Sequence, residues 1–316
     1  MHQAGGQFGK YLTEALLATG KHQVTAITRT DSTNKLPEGV HVARVDYSGD
    51  DLEALVAAFQ GQQVLIVTMA VMAPRDTVSK LVRAAAKAGV PYIMPNWFGH
   101  DSNNKRLCDD SMLSPTKEAI QAEIESFGVS ANIRLVCNFW YEFSLGGGAD
   151  RFGFDFTKQS FIQFDEGDVS FNVTTWDQCA RAVASLFSLK ELPEDESDQS
   201  PTLSQFRDRP VYIRSFRLTQ LDMFEVVKRV TATTKNDWTI TYESSEERWR
   251  DGHAAVLNGN FGQFPKMLYS RMYFPNGGGD YEPLDNDTLS LPVEDLDKYT
   301  AIAVRMGKNG DVAGSH

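Results

Sequence analysis

Between residue 7 and about residue 137 short β-branched runs alternate with longer helical stretches, and this alternation constrains the fold more than any other feature. The pattern predicts a helix over Phe8–Ala18, strands over Gln23–Thr28 and His41–Val45, a helix over Leu52–Phe59 and a strand over Val64–Thr68. It continues with a helix over Thr77–Ala88, a strand over Pro91–Met94, a helix over Met112–Phe127 and a strand over Asn132–Val136. Val64-Leu-Ile-Val-Thr68 is apolar apart from its last residue, as a strand must be when helices cover both faces of its sheet. Alternating strands and helices build a parallel sheet with right-handed crossovers. The helix after Pro74 has matching punctuation, with Asp76 or Thr77 as its cap and Gly89 just past its end.

After about residue 145 the rhythm breaks. Phe152-Gly-Phe-Asp-Phe156 and Ser160-Phe-Ile-Gln-Phe164 read as a strand pair, and Asp177–Leu189 as a helix. The acidic stretch from Glu191 to Ser200 reads as an exposed loop, and further helices are expected at Leu218–Val230, Ser245–Leu257 and Val293–Arg305. The expected organisation is a doubly wound α/β domain over residues 1–145. A smaller mixed α/β substrate region over residues 146–316 follows it, with some of its segments returning to the first domain.

A chain of 316 residues with 41% hydrophobic residues buries a large core without the help of disulfides or metals. Its three cysteines, Cys108, Cys137 and Cys179, are widely spaced and form no CxxC pair, which points to a reducing compartment. Lys and Arg number 31 against 42 Asp and Glu, and a net charge of -11 disfavours generic binding to nucleic acid or to anionic membranes. No apolar run reaches the length of a membrane span and no signal-peptide pattern opens the chain, so a cytoplasmic protein is expected. The histidines lack metal-ligand spacing, and no Gly-x-Ser-x-Gly elbow is present. No metal is expected.

Gly5-Gly6-Gln7-Phe8-Gly9 opens the first helix. In Rossmann-type folds a glycine turn lets backbone amides and the positive helix end approach a dinucleotide pyrophosphate. Gly6 and Gly9 have the spacing of the last two glycines of such a turn, but Gln3 stands at the first glycine position. Only Met1-His2-Gln3-Ala4 precedes the turn, so the first strand is expected to be missing. A plain helix start fits the same glycines. A P-loop does not, because Gly5 to Lys10 is one residue short and Tyr11 replaces Ser or Thr. Arg29 follows the next strand, about 20 positions after Gly9, where such folds read the adenosine ribose. With Lys35 it suits a 2′-phosphate, whereas Asp31 suits a ribose hydroxyl, and a solvated loop fits all three.

These residues, with several later ones, resemble the NmrA-like and isoflavone-reductase-like group of atypical short-chain dehydrogenases. The resemblance is carried by Gly6-Gln-Phe-Gly9, Arg29, Val45-Asp-Tyr47, Pro95-Asn-Trp-Phe-Gly-His-Asp101, Lys117-Glu-Ala-Ile-Gln-Ala-Glu-Ile-Glu125 and Asn138-Phe139. The tail Leu291-Pro-Val-Glu-Asp-Leu-Asp297 looks like the form common in fungi. It implies an NADP(H)-binding domain, with Gly6, Gln7, Phe8, Gly9, Arg29, Lys35, Met69, Ala70, Phe98, Lys117, Asn138 and Phe139 as cofactor contacts. It also implies a catalytic role for Lys117, as a lysine that loses solvation beside the cofactor and handles a proton. A surface lysine paired with an acid such as Glu118 is the other reading. Leu113 stands four residues before Lys117, so the Tyr-x-x-x-Lys pair of ordinary short-chain dehydrogenases is absent. His100 is a weaker acid/base candidate, and Trp97, Trp140, Tyr141 and Phe143 are expected to wall a flat aromatic substrate, although aromatic residues after strands also fill cores. Two functions follow. One is an NADP(H)-dependent reductase of a small aromatic or polyketide-like metabolite; the other is a cofactor-sensing regulator that acts on a protein partner without turnover.

Overall fold

The structure is a computed structural model that describes residues 6–30, 32–33, 35–46, 49, 52–69 and 75–312. Helix α1 (Gln7–Ala18) places Phe8, Leu12 and Leu16 every fourth residue on one buried stripe. Strands β1 (Thr25–Thr28) and β2 (His41–Arg44) follow and pair in parallel. Helix α2 (Glu53–Phe59) leads to β3 (Val64–Ile66), and helix α3 (Arg75–Ala88) to β4 (Tyr92–Met94). Gly89 closes α3 with φ +78°, a left-handed position that glycine adopts without a Cβ clash. The helix starts at Arg75, so Asp76 lies within its first turn and forms an ion pair with Lys80 at 3.1 Å. Leu65, Ile66, Ile93 and Met94 are all buried, as both faces of a covered parallel sheet require.

Strand β5 (Phe98–Gly99), helix α4 (Lys105–Asp110) and helix α5 (Ser114–Phe127) come next. The strand expected over Asn132–Val136 divides into β6 (Ala131–Asn132) and β7 (Arg134–Val136). β6 continues the β3–β4 sheet, while β7 pairs in parallel with β5. The division falls at Ile133, whose amide still bonds the Ile93 carbonyl at 2.9 Å before the chain changes neighbours. Among the described residues no pairing joins β1–β2 to β3–β4–β6. The segment where the first strand was sought lies outside the described residues.

The later chain folds partly back onto this layer. β8 (Phe139–Trp140) runs into α6 (Tyr141–Leu145), and β9 (Phe154–Asp155) pairs antiparallel with β10 (Ser160–Phe164), as expected for the aromatic stretches. β11 (Phe171–Thr174) lies parallel to β8, and α7 (Trp176–Phe187) packs along α1. β12 (Pro210–Tyr212) extends the β5–β7 sheet and β13 (Phe216–Leu218) pairs with β11. Helix α8 (Gln220–Thr231) precedes β14 (Thr239–Glu243), which lies parallel to β10, a pairing the sequence did not announce. Helices α9 (Ser245–Leu257), α10 (Phe264–Ser270) and α11 (Leu296–Asn309) complete the chain. The α1–α7 contact and β7 share one core with Leu203, Phe206 and Val211. Aromatic residues from β8 to α11 build a second core. Among the described residues no helix is long and apolar enough to cross a membrane.

Candidate cofactor and active site

Gly6 is the N-cap of α1, in extended geometry with no side-chain cap, and its carbonyl accepts the first intrahelical bond, from the Lys10 amide at 2.9 Å. The amides of Gln7, Phe8 and Gly9 therefore have no carbonyl within the helix to bond, and no acidic side chain occupies this first turn. Such a donor set fits an anionic diphosphate. Phe8 is buried and meets Phe98 edge-on at 5.0 Å and Trp140 at 4.9 Å, which fixes this helix end against β5 and β8. Gln7 is exposed and Gly9 buried.

Arg29 and Lys35 are both exposed on the loop after β1. Arg44 of β2, which the sequence analysis missed, ties this loop down by donating to the carbonyls of Ser32 (3.0 Å) and Thr30 (3.4 Å). Asp31, Tyr47 and Ala70 lie outside the described residues. Met69, just past β3, is held by another residue not singled out earlier. The Asn96 carboxamide accepts from the Met69 amide at 3.0 Å and donates to the Met69 carbonyl at 2.9 Å. One planar side chain thus reproduces a strand neighbour at the mouth of the sheet. Only the Pro95-Asn96-Trp97 stretch of the family pattern hinted at it.

Lys117 sits in the second turn of α5, half-buried, and its Nζ donates to the Ser102 carbonyl at 2.8 Å. The alternative pairing with Glu118 is not the contact formed. His100 is buried beside it, and burial, with the Arg271 and Lys117 cations nearby, brings the imidazole down to about 4. Its surroundings thus favour the neutral imidazole over the imidazolium. Arg271, itself buried, donates to Asp110 of α4 at 2.6 Å and to the Gly277 carbonyl at 3.2 Å.

Asn138 follows β7 with φ +53°, a left-handed geometry that asparagine tolerates. Its amide bonds the Gly99 carbonyl at 2.9 Å, so Phe98, Gly99 and Asn138 meet at the carboxyl ends of neighbouring strands, where α/β sheets bind ligands. The Asn138 side chain turns the other way and donates to the Asn172 carbonyl at 2.7 Å. Phe139 stacks on Tyr269 at 4.0 Å within the second core. Of the aromatic wall expected from Trp140, Tyr141 and Phe143, Tyr141 is core and the other two are half-buried. Trp140 and Phe143 pack on Trp176, and the fully buried Tyr141 shares a hydrogen bond with Thr300 at 2.7 Å. These rings face partners on α7 and α11 that local sequence does not reveal. Trp97 remains half-buried, edge-on to His100 at 5.2 Å.

Residues 4–126 match the NAD(P)H-binding family model. The oxidoreductase aprR of Aspergillus flavus is 28% identical over 306 residues, covering 94% of this chain and 95% of the relative. Among solved structures, AtPrR2 with NADP+ and (+)-pinoresinol superposes with a TM-score of 0.72 at 20% identity, covering 96% of this chain and 97% of that one. Isoflavone reductase superposes with a TM-score of 0.70 at 19% identity, covering 95% and 96%. Residues 4–126 thus match an NAD(P)H-binding model, and along nearly its whole length the chain shares the fold of AtPrR2 and isoflavone reductase.

Proposed function

We propose that the chain is an NADP(H)-dependent reductase of a small aromatic or polyketide-like molecule, with Lys117 handling the proton. The amides at the start of α1 hold the diphosphate, and Arg29 with Lys35 reads a 2′-phosphate. Met69, braced by Asn96, borders the adenosine side; Phe98, Asn138 and Phe139 mark the nicotinamide side. When bound, the cofactor supplies a hydride for a carbonyl or conjugated bond. The chain's part is to orient both partners and to move a proton at Lys117 Nζ. Relatives named as oxidoreductases, and a structural neighbour that holds pinoresinol, support this reading.

The observation that carries it is the half-buried Lys117 ammonium, seated on the Ser102 carbonyl beside a neutral His100. Lys117→Ala is expected to leave NADPH binding near the parent's, because the phosphates are held elsewhere. Turnover of NADPH with pinoresinol or simple aromatic carbonyl compounds should fall ~10²–10⁴-fold, the worth of a positioned acid/base group. Undiminished turnover in the variant removes Lys117 from the mechanism. A parent chain that binds NADPH and reduces none of a broad carbonyl panel returns the argument to the sensor.

A further inference from the structure

Two segments, 99–102 and 111–117, are linked twice. One link is Lys117 Nζ to the Ser102 carbonyl at 2.8 Å; the other is His100 Nε2 with Ser111 Oγ at 3.3 Å. Ser111 is the C-cap of α4, and its single hydroxyl proton goes to the Cys108 carbonyl at 2.9 Å. With that proton so placed Ser111 accepts in the second link, which assigns to His100 the tautomer with its hydrogen on Nε2. The Leu113 amide bonds the same Cys108 carbonyl at 3.0 Å, and the Leu113 carbonyl accepts the Lys117 amide at 3.1 Å. The backbone that carries the lysine is thus registered against the residue that His100 grips. The other segment is tied as closely. Trp97 Nε1 donates to the His100 carbonyl at 2.9 Å, Tyr212 donates to Asp101 Oδ1 at 3.0 Å, and Cys108 Sγ approaches the carbonyls of Asp101 and Ser102 at 3.6 and 3.8 Å.

We propose that His100 is a positioning residue for Lys117, a fixed N–H donor whose bond to Ser111 holds the Ser102 carbonyl at the distance that seats the lysine ammonium. The two links run between the same segments, so losing the His100–Ser111 bond loosens the Lys117–Ser102 bond. The imidazole stays neutral, because a second proton would sit buried beside the Lys117 and Arg271 cations. This inference rests on the reading of Lys117 as the group that handles the proton, and its test is chosen to separate the two.

The test reads Lys117 directly, without a substrate: its rate of acetylation by acetic anhydride, followed by peptide mass spectrometry against the other lysines of the full-length chain. His100→Phe keeps a ring against Trp97 but has no donor, and Ser111→Ala removes the acceptor. Each is expected to raise Lys117 acetylation ~2- to 10-fold, the factor one lost hydrogen bond brings. His100→Gln, whose amide N–H can replace Nε2–H, is expected to stay near the parent rate. Unchanged Lys117 reactivity in Ser111→Ala overturns the proposal, and that variant serves should His100→Phe fail to fold. If the reactivities change as expected but Lys117→Ala retains full turnover, the catalytic reading fails while the positioning contact stands.

Discussion

In the proposed function Arg29 and Lys35 set the choice of nucleotide, because in a chain of net charge -11 a 2′-phosphate must find local positive charge. Both are exposed on a loop that Arg44 tethers through the Thr30 and Ser32 carbonyls. Charge-assisted hydrogen bonds contribute ~1.5–3 kcal/mol each, enough for a preference of about ten-fold or more. NADPH is therefore expected to bind at least ~10-fold tighter than NADH, with Arg29→Ala closing most of the gap and leaving NADH almost unchanged. Equal affinities in the parent chain make Arg29 a loop residue with no part in cofactor choice. At this scale the sequence was legible where structure is written in neighbouring residues: the Gly6-to-Gly9 turn opening α1 and the placing of Lys117 on a helix. It was silent where a role depends on a distant partner. Asn96 braces Met69 from 27 positions away, and His100 is held neutral by burial and then by Arg271, both of which only the folded chain supplies.

Elements show the same division between local and distant information. Helices with an apolar face, such as α1 and α8, were readable from periodicity, since their burial follows from 3.6-residue spacing. The split of β6 from β7 and the parallel pairing of β14 with β10 were not, because pairing partners leave no mark on local sequence. The N-terminus of α7 carries a consequence of such long-range packing. Glu142 Oε1 accepts the Trp176 amide there at 2.9 Å, and Asp177 and Glu294 lie close by. Burial, with help from those two carboxylates, pushes the Glu142 carboxyl up to about 7 against the pull of the Glu142 and Trp176 amides. The folded chain thus holds this proton more tightly than the unfolded chain does. Its contribution to stability is whole below the ordinary carboxylate range and is lost as pH rises through about 7. Glu142→Gln keeps the acceptor for Trp176 and removes the titration. Thermal melts should show the variant gaining ~1–3 kcal/mol relative to the parent between pH 5 and pH 8. A constant difference between the two proteins across that range means that Glu142 is ionised in the fold.

Across the whole molecule, the first core joins α1 to α7 and to the strand at Val211, so the glycine turn is backed by residues far along the chain. Phe8 transmits that support directly, packed between Phe98 and Trp140. A ligand at the start of α1 is therefore coupled to the cooperative unfolding of the layer behind it, and NADPH at ~100 times its Kd should stabilise that layer by ~2.7 kcal/mol. The chain's acidic surface works against any anion at long range, but screening confines that repulsion to about 8 Å at physiological ionic strength. The local donors of α1 therefore dominate. The most direct test of this account is a calorimetric titration of NADPH into the full-length chain, paired with a thermal melt at saturation. Saturable binding of one NADPH per chain, with a rise in melting temperature, is the result expected. No heat of binding and an unmoved melting temperature would contradict the assignment of residues 4–126 as a working nucleotide site.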